Sequence, residues 1–123
     1  MRVLVALCVL LLCVCVVSTA WAQDPTKVDP KHYTVVSEND QVRILKVHYG
    51  PHEKSVMHTH PASVAVFLTG SKGQFTFPDG KTQAMDGKAG EAMYIPAQTH
   101  LPENTGDEAM DVIVVELKEP AKK

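Results

Sequence analysis

"MHTHPASVAVFLTG", residues 57–70, opens with two histidines one residue apart and runs into an apolar stretch. Residues i and i+2 of a strand share a face, so His58 and His60 point the same way, with Thr59 opposite. From Ser63 to Leu68 the chain is apolar on both faces, as a strand with neighbours on either side would be. No acidic residue follows the histidines before Gly70. Two imidazoles therefore stand at the mouth of a buried strand with no carboxylate close in sequence.

Working outward, the same grammar of short strands and turns continues. "TVVSENDQVRILKVHYG" (34–50) predicts a strand, a turn at Glu38-Asn39-Asp40 and a second strand. Within the second strand Val42 and Ile44 alternate, Leu45 breaks phase, and Val47 and Tyr49 resume, which predicts a β-bulge. "GQFTFPDGKTQAM" (73–85) is a hairpin turning at Pro-Asp-Gly. "GEAMYIP" (90–96) is a strand stopped by Pro96, and "MDVIVVELK" (110–118) is a last, largely buried strand. No stretch beyond the N-terminal apolar run has a helical period, so helix should be nearly absent. Many short strands with glycine turns predict an all-β sandwich or closed barrel.

The N-terminus has a different character. Met1-Arg2, the apolar run Val3–Val17 and Ala20-Trp21-Ala22 form the pattern of a secretory signal peptide over residues 1–22, cut before Gln23. The apolar run is shorter than the ~20 residues a spanning helix needs. Cleavage removes all three cysteines, the single tryptophan and one arginine, leaving 101 of the 123 residues and all six histidines. An exported chain without disulfides must hold together by core packing. Its acidic residues outnumber the basic ones, which argues against nucleic acid or an anionic membrane as partner. Residues 23–31 are polar with two prolines and predict a linker or arm; 32–118 form the barrel and 119–123 a solvated tail.

A third histidine lies in "GEAMYIPAQTHLPEN" (90–104), after a strand and a proline turn. Together the two segments resemble the paired motifs of the cupin superfamily, specifically a small single-domain exported cupin of the conserved-barrel type. Gly50, His58, His60 and Gly70 match the first motif; Gly90, Pro96, His100 and Asn104 match the second. The resemblance spans Tyr33 to Leu117. It implies a jelly-roll β-barrel, often dimeric, with a metal inside the barrel mouth held by His58, His60 and His100. The sequence departs from the pattern in three places. Gly50 is two residues further from the histidine pair than usual. Gln98 replaces a glycine, and His100 comes one residue early. The motif's glutamate is missing, its place falling on Ser63 or Val64. Glu103, three residues after His100, is an alternative ligand or a solvated charge.

Three neutral imidazoles on a divalent ion (iron, zinc or manganese) leave a net charge of +2 and open positions. The expected partner is thus a small, anionic organic molecule. The expected function is a dioxygenase-type oxidoreductase. The alternative is a non-catalytic module binding metal or a small ligand, with a zinc hydrolase or metal-free isomerase behind both. His32, His48 and His52 have no partner at ligand spacing and are expected to be structural or exposed.

Overall fold

The computed structural model describes residues 23–120. The predicted signal peptide therefore lies outside the described residues. Among the described residues nine strands follow a single short helix, α1 (Pro25–Val28): β1 (Tyr33–Glu38), β2 (Val42–Tyr49), β3 (His58–His60), β4 (Ser63–Phe67), β5 (Gly73–Thr76), β6 (Thr82–Ala84), β7 (Ala92–Ile95), β8 (Gln98–Asn104) and β9 (Met110–Leu117). They form two antiparallel sheets, β1-β2-β9-β4-β7 and β3-β8-β5-β6. The all-β expectation holds.

The two sheets bury different chemistry. The five-stranded sheet supplies the hydrophobic core: Tyr33, Leu45, Val47, Tyr49, Ala65, Phe67, Met110, Val112 and Val114. Strict alternation puts these on one face, with Met110, Val112 and Val114 buried along β9 and their neighbours only partly so. The four-stranded sheet instead buries His58, His60, His100, Pro102 and Asn104. A histidine-bearing inner face on one sheet thus meets a mainly apolar inner face on the other.

One local expectation is corrected. β2 carries no bulge: it pairs with β9 without interruption from Val42–Leu117 to Tyr49–Met110. The irregularity lies in β1, between Val35 and Ser37, opposite Leu45 and Ile44. The inward phase of β2 is Arg43, Leu45, Val47 and Tyr49, so Leu45 is in step and Val42 and Ile44 belong to the other face. Segment 23–31 is tied down on the barrel. Asp24 caps α1, accepting from Thr26 N at 2.9 Å, Pro25 is buried, and Gln23 O accepts from Thr59 N at 3.0 Å.

The motif residues that are not histidines hold loops. Asn104 is buried and donates to Gly50 O (3.0 Å) and Glu108 O (2.7 Å), joining the ends of β2 and β8 to the start of β9. Gly90 has a φ of 86°, in the left-handed region that disfavours a side chain.

Candidate metal centre

β3 and β8 are antiparallel neighbours, and His58 lies directly opposite His100 while His60 faces Gln98. His60 follows His58 on the same face, so the register alone gathers all three imidazoles. All are buried, and one ring nitrogen from each lies within 4.8 Å of the others. Among the described residues this is the one such group of potential ligands, and Glu103 is not in it.

The hydrogen bonds decide which nitrogens are free. His58 Nδ1 donates to Val56 O (2.9 Å), with Ser55 Oγ nearby at 3.3 Å. His60 Nδ1 donates to Glu116 Oε2 at 2.7 Å. With its one proton on Nδ1, each ring in the neutral form has a bare lone pair on Nε2. These two Nε2 atoms face each other at 3.1 Å. Both nitrogens of His100 are buried with no partner at all. Facing lone pairs and an orphaned buried imidazole are unfavourable as they stand and fit a shared cation. Two nitrogens each about 2.1 Å from one ion lie about 3.0–3.4 Å apart at ordinary coordination angles. The residues present therefore fit a metal ion.

Burial, reinforced by His60 beside it, lowers the His58 imidazole to about 4. Burial, then His60 and His58, lowers His100 to about 3. Both rings are therefore neutral, and competent as ligands, well into the acid range. His100 also packs on Phe75, with ring centroids 4.0 Å apart, and the edge of Tyr33 meets His58 at 4.9 Å.

Beside the histidines is a cavity of about 70 Å³, lined mainly by apolar side chains including Phe67, Phe75, Ile95 and Val112, with His60, His100 and Ser63 in its wall. By the same measure one water needs ~10–15 Å³, so the space admits a molecule of only a handful of non-hydrogen atoms. Ser63 faces this interior from β4 and Val64 does not.

The other histidines are held away from the trio. His32 is buried, stacked on Tyr49 at 4.3 Å, and its two nitrogens face Asp29 (2.7 Å) and Glu53 (2.8 Å). Exposed His48 and His52 pair with Asp111 and Asp107.

Sequence reasoning missed the carboxylates behind the site. Glu116 is buried on β9, next to Arg43 in the β2–β9 register; Arg43 Nε donates to Glu116 Oε1 at 2.6 Å. Burial alone would raise Glu116, but the His60 and Arg43 hydrogen bonds outweigh it and hold it below the usual carboxylate range. Arg43 also clasps Asp24 at 2.6 and 3.1 Å. Burial opposes ionisation of Asp24 too, yet Arg43 and Thr26 bring it down to about 2. On the other side Ser55 Oγ donates to Asp29 at 2.5 Å. A sequence signal existed: Arg43 and Glu116 are charges in the inward phase of two otherwise apolar strands.

A barrel of two antiparallel sheets with three histidines converging inside it is the class this fold and site define. The chain belongs to the cupin family: the cupin domain model (Cupin_2) matches residues 45–116. Solved structures agree on the fold. A cupin domain from Bordetella pertussis Tohama I is 21% identical, covering 71% of this chain and 92% of its own, with a TM-score of 0.66. An uncharacterized protein with a double-stranded β-helix domain from Klebsiella pneumoniae is 22% identical over 73% of this chain and 78% of its own, at 0.58. The polyketide cyclase RemF from Streptomyces resistomycificus is 20% identical over 73% and 66%, at 0.55. At such identities the likeness is one of fold. No functionally curated protein matches the chain by sequence.

Proposed function

We propose that the protein is an exported, metal-dependent oxidoreductase of the dioxygenase type, with His58, His60 and His100 holding one divalent ion, iron foremost. The observation that carries this reading is the convergence of three buried imidazoles whose facing nitrogens have no hydrogen to share: two Nε2 atoms 3.1 Å apart and a third ring without a partner. A bound ion supplies Lewis-acid polarisation and, as iron, one-electron chemistry with dioxygen.

The chain's own groups define the rest. The apolar cavity beside the histidines excludes water and limits the substrate to a small organic molecule. Three neutral ligands favour a substrate that brings an anionic oxygen or sulfur, such as an enolate, thiolate or carboxylate. Glu116 and Asp29 lie behind the ligands and already offset part of a cation's charge, which favours one anionic group rather than two. Tyr33, whose hydroxyl is hydrogen-bonded to that of Tyr49 at 2.6 Å, is a polar anchor in the cavity wall. Burial and then Tyr49 raise its phenol well above the usual value, so it meets a substrate as a neutral hydrogen-bonding group.

Elemental analysis of untagged protein from its native envelope tests the metal, and mass spectrometry of the same sample tests removal of residues 1–22. Oxygen uptake by iron-loaded protein with small enols, thiols and carboxylates tests turnover. Iron with substrate-dependent oxygen uptake is the expected result. Metal-bound protein that consumes no oxygen with any of them refutes the dioxygenase reading, and protein that binds no divalent ion refutes the metal centre.

A further inference from the structure

We infer that Glu116 is a positioning residue of the metal centre, which fixes His60 in the tautomer whose Nε2 lone pair faces His58 and His100. The inference rests on reading the three histidines as ligands. Glu116 belongs to neither histidine segment. It comes from the opposite sheet, 56 residues beyond His60, where the β4–β9 register sets it across from Ser63, three residues past that ring.

The geometry leaves Glu116 one role toward each neighbour. Its Oε1 accepts from Arg43 Nε at 2.6 Å and its Oε2 from His60 Nδ1 at 2.7 Å. An ionised carboxylate can only accept, so in the neutral ring that binds a metal the single proton of His60 is kept on Nδ1. Nε2 is then bare and aimed at His58 Nε2. Arg43 cannot be drawn off, because its other two nitrogens are engaged by Asp24. A purely structural ion pair would be complete with Arg43 and Glu116 alone. The second oxygen on His60 is the extra feature, and it selects one tautomer. The carboxylate absent after His60 in sequence is thus present one bond further out, supplied by the last strand. Outer partners of this kind typically change metal affinity about 10–100-fold.

The discriminating variant is Glu116→Gln. One amide oxygen must then serve two donors, Arg43 N–H and His60 Nδ1–H. The charged guanidinium is the stronger donor and takes it. The amide N–H₂ is left facing His60 Nδ1, which can accept only if the ring proton moves to Nε2. A paired replacement, Arg43→Met with Glu116→Met, removes the buried ion pair together, leaving only the more exposed Asp24 without its cation, and stands in if Glu116→Gln fails to fold. Asp111→Asn, which removes only the partner of exposed His48, is the control.

Two readouts are needed. Long-range ¹H–¹⁵N correlation on metal-free protein reports the His60 tautomer, and calorimetric titration with zinc reports affinity. The parent and Asp111→Asn should show the Nδ1–H form. Glu116→Gln should shift to Nε2–H and bind zinc 10–100-fold more weakly; the double variant should lose the single tautomer and weaken comparably. A parent without the Nδ1–H form, variants that retain it, or zinc affinity within threefold of the parent overturns the inference. If the parent binds no zinc, the ligand reading fails, and the tautomer comparison still decides what Glu116 does to His60.

Discussion

Stripped of metal, this protein should lose stability on mild acidification, well before its carboxylates titrate. His58 is held at about 4 and His100 at about 3, against an ordinary 6.5. Both values are lowered in the fold, so the unfolded chain takes up these protons first. Their contribution is complete above about pH 6.5 and is lost as pH falls toward 4 and then 3. Each proton changes stability by about 1.4 kcal/mol per pH unit across that window. Between pH 7.5 and 5.0 the two rings together should therefore lose about 4 kcal/mol, a large part of an ordinary domain's total. Glu116, also lowered, adds a further loss only below its unfolded value near 4.5. Urea unfolding of chelator-treated protein at pH 7.5 and 5.0, beside His100→Leu, measures this. The variant should lose about 2 kcal/mol less than the parent over the same interval. A parent that changes by under 1 kcal/mol, or a variant as acid-sensitive as the parent, refutes the reasoning.

Metal titration should separate the histidines: His100→Ala should weaken zinc binding at least tenfold, whereas His48→Ala and His52→Ala should leave it within twofold. Because Ser63 faces the cavity and Val64 does not, Ser63→Glu should raise metal affinity and lower affinity for a small carboxylate, relative to Ser63→Gln. Val64→Glu should do neither, and calorimetry with metal and then acetate checks both. Gly87→Ala would place a methyl 2.7 Å from the Phe67 ring, so its urea midpoint should report a loss of about 1–3 kcal/mol.

Much of this was legible in the sequence because strand periodicity is a local rule. Alternation and turn residues located the principal strands, and the i, i+2 rule put His58 and His60 on one face. His100 could be joined to them only through the resemblance, since nothing local fixes the β3–β8 register that sets it opposite His58. Leu45 misled because two apolar phases overlap in β2, and only the β9 partner settles which points inward. Glu116 and Arg43 escaped notice for the same reason: 73 residues separate them, and their pairing exists only across strands. The docked arm shows a related limit, because polar composition leaves a linker and an arm equally open, and only the fold shows Asp24 and Asp29 consumed by hydrogen bonds.

β9 follows every other described strand in the chain, yet it lies in the middle of its sheet, between β2 and β4. Without it, β1–β2 and β4–β7 are two separate ribbons with no ladder joining them. A chain lacking β9 therefore cannot close the five-stranded sheet, whatever local hairpins have formed, so the sheet's one long-range closing step rests on this strand.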